Sequence, residues 1–322
     1  MNMADLSEMP LITLAIPSFN HALYIKQSIE SIVAQDYANI ELIIIDDGSS
    51  DDSVAVIESM ASACRNRFVR YEFRSRPNKG QAETLNEALE WAEGEYFSML
   101  SSDDVLLPEK TSRLLACISA EDDVAGVFSG FEYIDGDGQL IGTENHPETY
   151  FTFDDVLAHR HSLQTCTQLF RTECLRATGG YLEGCYIEDW YMCLKLTELG
   201  YRLKNVPFIS TSYRYHDTNI SKDRLKMFEA RKQILGHFKQ HMGYLNAMSV
   251  MYIWAAIDFS CVSKFRSIWY LLQALVIYPK ALFTRYFAKG VLRLLTPCFV
   301  VQHSEELKER WPRLFAYLPE RF

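Results

Sequence analysis

The sequence predicts an α/β protein with a mixed, mainly parallel sheet flanked by helices, extended at its C-terminus by a helical region. Three observations carry that prediction. Short apolar runs alternate with segments of helical spacing through the first hundred residues. The apolar runs end in polar, acidic loops, which is where open α/β sheets place their ligands. From about Asp223 onward the strand-like runs stop and the spacing is helical.

Leu11 to Ile16 is a short apolar run and reads as a buried strand. Leu23 to Ala34 sets Leu23, Ile25, Ile29, Ile32 and Val33 at helical spacing. Ile40 to Ile45, rich in β-branched residues, is a second strand, followed by a helix at Val54 to Ala63. Phe68 to Phe73 is a third strand, Ala82 to Ala92 a helix and Tyr96 to Leu100 a fourth strand. Pro108 before Glu109 suits a helix start. Val124 to Ile134 reads as a strand leading into a hairpin turn at Asp135-Gly136-Asp137-Gly138. Thr165 to Phe170 is a strand, and Glu188 to Leu199 a helix closed by Gly200. Tyr201 to Val206 and Ile209 to Tyr215 read as two short strands. The chain thus divides into an α/β domain over residues 1–222 and a helical region over 223–322.

Within the helical region, Tyr244 to Ile257 and Ser267 to Pro279 are strongly apolar. Each is shorter than the roughly 18 uncharged residues of a spanning helix. Beyond Pro279, Lys280, Arg285, Lys289 and Arg293 recur at nearly helical spacing among Leu, Phe and Val, an amphipathic basic helix. Three readings stand open: peripheral contact with an anionic membrane, a helical cap with a solvated basic face, and a homo-oligomer interface.

Of the 322 residues, 48% are apolar and 23% charged, ordinary globular composition with material for a sizeable core. The net charge of -10, and the lack of a basic patch in the first two hundred residues, argue against nucleic acid as partner. The eight cysteines are scattered with no Cys-x-x-Cys pair, so neither a zinc site nor a disulfide framework is expected. Met1 to Pro10 carries Asp5 and Glu8 and no basic, then apolar, leader pattern, which predicts a cytoplasmic protein.

The chemistry-bearing residues cluster at strand ends. In Asp46-Asp47-Gly48-Ser49-Ser50-Asp51 a carboxylate can accept from a ribose or a base edge, although a capped strand-to-helix turn is the simpler reading. In Ser101-Ser102-Asp103-Asp104 adjacent carboxylates repel unless a donor or a hard cation satisfies them, and a solvated acidic loop stands as the alternative. Pro77-Asn78-Lys79-Gly80-Gln81 precedes a helix, where backbone amides and Lys79 can approach a diphosphate. Glu188-Asp189 opens a helix, favourable through the helix dipole, and offers a general base. His216, at the end of the last strand, is a candidate extra metal ligand beside the acidic loop.

In this order these segments resemble family-2 glycosyltransferases of the GT-A fold, over roughly residues 11 to 220. The matching residues are Ile16-Pro17-Ser18-Phe19-Asn20, Ile45 to Asp51, Asn78-Lys79-Gly80-Gln81, Ser102-Asp103-Asp104, and Glu188-Asp189 followed by Gly200-Tyr201. The resemblance implies a catalytic domain over residues 1–222 that moves a sugar, as a hexosyltransferase, from a nucleotide sugar to an acceptor hydroxyl with inversion. A UDP-sugar is the expected donor and a lipid-linked or polysaccharide glycan the expected acceptor, at the inner face of a membrane. Asp47 would contact the uracil or ribose, with Pro17, Ser18 and Asn20 walling the base, and Asn78, Lys79 and Gly80 completing the donor site. Asp103 would lie near the ribose and Asp104 would hold Mn²⁺ or Mg²⁺ on the diphosphate. Asp189 would deprotonate the acceptor, and Glu188 would orient it or stand in for it. Ser101 stands where the family often has an acidic residue, and the Gln-x-x-Arg-Trp segment of processive members is absent, which favours single addition.

Two rivals remain at this stage. A sugar nucleotidyltransferase would want a glycine-rich phosphate loop with a basic residue early in the chain, and none lies between Pro17 and Lys26. A non-catalytic nucleotide-sugar-binding module of the same fold would have no need of Asp103, Asp104 and Asp189 together.

Overall fold

A computed structural model describes residues 9–159, 163–216 and 223–298. Its centre is a ten-stranded sheet, β1 (Ile12–Ser18), β2 (Ile40–Asp46), β3 (Arg70–Ser75), β4 (Tyr96–Met99), β5 (Val105–Leu106), β6 (Val124–Ile134), β7 (Leu140–Glu144), β8 (Thr149–Phe151), β9 (Leu169–Arg171) and β10 (Arg202–Arg214). The order is β3-β2-β1-β4-β9-β6-β10-β5, with β7 beside β6 and β8 beside β10. The pairs β1–β2, β1–β4, β2–β3 and β6–β10 are parallel, while β9 runs antiparallel to both β4 and β6. The carboxyl ends of β1, β2, β3, β4, β6 and β10 therefore share one edge.

The helices are α1 (Ile25–Val33), α2 (Ser53–Arg67), α3 (Gln81–Trp91), α4 (Lys110–Ile118), α5 (Phe153–Leu157), α6 (Thr172–Ala177), α7 (Glu188–Glu198), α8 (Arg224–His237), α9 (Tyr244–Phe259), α10 (Lys264–Ile277) and α11 (Arg285–Leu295). The alternation read from the sequence appears as β-α-β units in the first hundred residues. Ile12, Leu14, Ile16, Ile40, Leu42 and Ile44 join Ile25, Ile29 and Ile32 of α1 in a single buried cluster. Continuous apolar runs form these strands because both faces of the parallel sheet are covered.

The two strands expected at Tyr201 to Val206 and Ile209 to Tyr215 are one strand, β10. Pro207 has no N–H to give β6, and the register shifts between Val206 and Ile209 instead of the strand breaking. The expected strand at Thr165 to Phe170 is a 3₁₀ turn at Thr165–Thr167 and only then β9.

Two compact units emerge. One comprises Met1–Phe153, His161–Gly184 and Glu188–His216; the other comprises Asp154–Arg160, Cys185–Ile187 and Asp217–Phe322. The boundary expected at residue 222 lies outside the described residues. In the second unit α9 and α10 pack side by side, with Phe259 and Tyr270 in ring contact and Ser267 Oγ donating to the Ala256 carbonyl at 2.7 Å. Among the described residues no helix is long and apolar enough to cross a membrane.

Candidate active site

Loops at the shared carboxyl edge build the site. The loop after β1 and the loop after β2 clasp each other. Asn20, in the left-handed region at φ 54, accepts the Ser50 N–H at 2.8 Å and donates its own N–H to Ser49 Oγ at 2.8 Å. Pro17 is half-buried and Ser18 buried, the Ser18 hydroxyl 3.4 Å from Asp46 Oδ2, as the β1–β2 register dictates. Asp46 is fully buried and accepts the Ser49 N–H and hydroxyl at 2.9 and 2.6 Å, so it closes the turn.

Asp47 holds the next loop. Its Oδ1 accepts the Lys79 N–H at 2.8 Å and a bond from Arg76 Nη1, and its Oδ2 accepts the Gly80 N–H at 2.8 Å. A carboxylate has about four lone-pair sites, so capacity for a ligand remains. Gly48 makes the approach of the two loops feasible: at φ +81, a Cβ there would lie 2.7 Å from the Asn78 backbone nitrogen. Asn78 and Lys79 are exposed, and Gly80 precedes α3.

The acidic loop after β4 meets the end of β10. Asp103 Oδ2 is 2.9 Å from His216 Nε2 and 3.9 Å from His21 Nε2. One donor atom from each of His21, Asp103 and His216 lies within 4.8 Å of the others. The Nδ1 of His21 bonds Ser102 Oγ at 2.7 Å, which turns Nε2 toward Asp103. Burial, with His216 adding, lowers the basicity of His21 on balance against the opposing charges of Asp103 and Asp51, and the neutral imidazole is the metal-binding form.

The expected pairing of Asp104 with His216 is not what the structure brings together. Asp103 faces the imidazoles, because the backbone N–H of Arg214 takes up Asp104 Oδ1 at 2.8 Å and turns that side chain into the sheet. Asp104 Oδ2 is buried without a hydrogen-bond partner. Its carboxyl is raised well above the ordinary range, by burial first and by Asp103 second. Two imidazoles, a carboxylate and a neighbouring buried, unsatisfied carboxylate oxygen fit a divalent cation.

Glu188 and Asp189 open α7, the first buried and the second half-buried. The hydroxyl of Thr165 donates to Asp189 Oδ2, and the Trp190 N–H to Oδ1 at 2.7 Å. Gln81, at the start of α3 and so at the same sheet edge, donates to Glu188 Oε1 at 2.8 Å. Burial raises the Asp189 carboxyl against its hydrogen bonds, and burial followed by the Asp189 charge pushes Glu188 up to about 8. A carboxyl that the fold keeps protonated stabilises it fully below the ordinary value of 4.5 and ceases to as pH rises through about 8. Melting temperature is therefore expected to fall over that window. Glu188→Gln, which mimics the protonated form, is expected to flatten the fall; an unchanged slope would count against a protonated Glu188.

Three participants were missed in the sequence. His21 follows Asn20 directly, at a strand end already singled out, and that position was its only signal. Arg214 is fully buried; its Nε donates to the Asp103 carbonyl at 2.8 Å, Nη1 to the carbonyls of Asp135 and Gly136 at 3.0 and 3.2 Å, and Nη2 to Gln27 Oε1 at 2.6 Å. Thr165 carried no signal, since its role depends on a 3₁₀ turn.

This arrangement can be set against known proteins. The sequence profile of glycosyl transferase family 2 matches residues 13–178, more than half of the chain. The chain belongs to glycosyl transferase family 2. It is 29% identical over 241 residues to chondroitin synthase of Escherichia coli, covering 73% of this chain and 33% of the relative. It is 29% identical over 257 residues to hyaluronan synthase of Pasteurella multocida, covering 77% and 24%. The chain thus spans a third or less of the length of these relatives. Its fold is similar to a mannosyltransferase from Pyrobaculum calidifontis in complex with GDP-Man and Mn²⁺, with TM-score 0.63, 14% identity, and 98% and 89% of the two chains covered. It is also similar to S. aureus TarS in complex with UDP-GlcNAc, with TM-score 0.61, 18% identity, and 93% and 92% covered. The mixed, mainly parallel sheet with flanking helices and C-terminal helices is the fold of these two structures.

Proposed function

We propose that this glycosyltransferase moves a sugar from a UDP-sugar onto a hydroxyl of a polysaccharide or lipid-linked glycan, with inversion, aided by Mn²⁺. The observation that carries the reading is the convergence of Asp103, His216 and His21 on one point of the edge where Asp47 and the Lys79–Gly80 amides also lie. The names of the relatives, chondroitin and hyaluronan synthases, support a glycan acceptor.

In this mechanism Asp189 takes the acceptor proton while the acceptor oxygen attacks the anomeric carbon from the face opposite the diphosphate. The bond from that carbon to the diphosphate oxygen breaks, and the electron pair leaves with the nucleoside diphosphate. A single displacement inverts the centre. Burial makes Asp189 a stronger base than a solvated aspartate, and the Thr165 hydroxyl holds the carboxylate in place. Glu188, pushed up to about 8, is neutral at pH 7 and does not compete for the proton. The cation supplies charge neutralisation at the diphosphate. Asp103, His216 and His21 would hold it, with Asp104 Oδ2 as reserve, and imidazole donors favour Mn²⁺ over the harder Mg²⁺. The exposed Lys79 and the backbone amides at the start of α3 bind the phosphates.

The test is thermal stabilisation by UDP, GDP, dTDP and CDP, each with Mn²⁺, Mg²⁺ or EDTA. A ligand at about a hundredfold its Kd adds about 2.7 kcal/mol of stability to the native state. UDP is expected to stabilise with Mn²⁺, less with Mg²⁺ and least with EDTA, and the metal dependence is expected to vanish in Asp103→Asn combined with His216→Ala. Stabilisation by GDP alone would replace the donor, and no shift with any nucleotide would sink the reading.

A further inference from the structure

We infer that one face of α10 is a docking surface for an anionic phospholipid bilayer, which the helix contacts lying in the plane of the headgroups. This inference stands independently of the donor, the metal and the catalytic base.

Phe265, Ile268, Trp269, Leu272 and Val276 recur at intervals of three or four residues and so form one stripe along the helix. All five are exposed, Phe265 by 81% and Val276 by 76%. The opposite side, Ser267, Tyr270, Leu271 and Ala274, is buried. A helix apolar on both sides is normally enclosed, in a core or by lipid. Here the side that carries the largest side chains faces outward, and Phe283 just beyond the helix is 88% exposed as well.

Charge identifies the occupant. From Phe259 to Cys298 the chain holds six lysines and arginines and no aspartate or glutamate, in a protein whose net charge is -10. Of these, Arg266, Lys280 and Arg285 are exposed. A second copy of the chain would dock this face on its own equivalent, since a two-fold interface pairs identical patches. That would set like charges against each other. An anionic headgroup layer offers the opposite charge over an apolar layer, and Trp269 suits the boundary between them. At 1.5 Å per residue, the 14 residues of α10 reach about 21 Å, short of a roughly 30 Å hydrocarbon core, which is why the helix lies flat.

The full chain is mixed with vesicles of phosphatidylcholine alone or of phosphatidylcholine with phosphatidylglycerol, and its flotation is followed at low and high salt. Flotation is expected with the anionic vesicles, weakening with salt, and not with the neutral ones. Removing Arg266, Lys280 and Arg285 together by substitution with alanine is expected to weaken partitioning on the order of a hundredfold, about fivefold for each charge. Phe265→Ser with Leu272→Ser is expected to abolish flotation at low salt with an unchanged melting temperature, because neither side chain is in the core. Equal flotation with both lipid compositions, no flotation with anionic vesicles, or wild-type partitioning of the serine variant would each overturn the inference. A dimer in light scattering that the serine pair dissociates, without vesicle binding by the wild type, would assign the face to a second copy instead.

Discussion

Asp189→Asn is expected to lower kcat by about two to four orders of magnitude, the range lost with a general base. The substitution keeps the shape of the side chain: its one amide oxygen can accept the Trp190 N–H, and its NH2 can donate to the Thr165 hydroxyl oxygen where the carboxylate accepted from it. It removes only the basic oxygen. Metal-dependent stabilisation by UDP should persist, because the proposed nucleotide and cation contacts come from Asp47, Lys79, Asp103, His21 and His216. The companion variant Glu188→Gln separates the two neighbours. A glutamate already protonated at pH 7 can be replaced by its neutral isostere with little loss of turnover. If Asp189→Asn kept full activity and Glu188→Gln lost it, the base would be Glu188. Loss of both turnover and nucleotide binding in Asp189→Asn would point to a structural role for Asp189.

Arg214→Met is expected to cost on the order of 4 kcal/mol of stability, at about 1 kcal/mol or more for each buried acceptor left without a donor. The guanidinium satisfies three backbone carbonyls and Gln27, and it lies 4.8 Å from the centre of the Tyr24 ring. Methionine fills much of the volume and leaves those acceptors without a donor. Tyr24 in turn stacks on the His216 ring at 5.2 Å, so the loss is expected to reach the cation cluster. Urea unfolding measures the first effect, and the Mn²⁺ dependence of UDP stabilisation measures the second. Arg214→Lys should recover only part of either, because three donors on a point charge cannot reproduce the fork. Wild-type stability in Arg214→Met would show that the acceptors find other donors.

β1, β2 and β4 are legible because they are largely apolar and lead into polar, acidic loops. Ile12–Ser18 and Ile40–Asp46 were readable to within a residue or two for that reason. Val206 and Ile209 were read as belonging to separate strands because Pro207 breaks the local pattern, while the pairing with β6 that bridges it is a tertiary fact. Loop residues were legible by type and not by direction. Asp103 and Asp104 were both visible, but which of them faces His216 depends on where the Arg214 N–H lies, more than a hundred residues further along the chain. His21 is not marked in the sequence, since a lone histidine beside a strand end carries no periodicity. The basic stretch after Pro279 reads as an amphipathic helix, and Arg285–Leu295 is one, with Phe287 and Gly290 buried; the exposed apolar stripe on α10, one helix earlier, is the feature that the sequence does not mark. A helix apolar on both sides reads from sequence as core, and only packing shows which side is covered.

β10 is last in the chain but not last in the sheet, being flanked by β6 on one side and by β5 and β8 on the other. During synthesis from the N-terminus, β6 therefore emerges from the ribosome with one long, apolar edge open, and that edge stays open until Arg202–Arg214 follows. Such an edge is a template for pairing with any other extended chain. Translation thus creates an aggregation-prone interval that closes only when β10 slots in, and the same event delivers His216 to His21 and Asp103. Nascent chains stalled before Arg202 are expected to be clients of the cell's chaperones, and truncations made there to be insoluble.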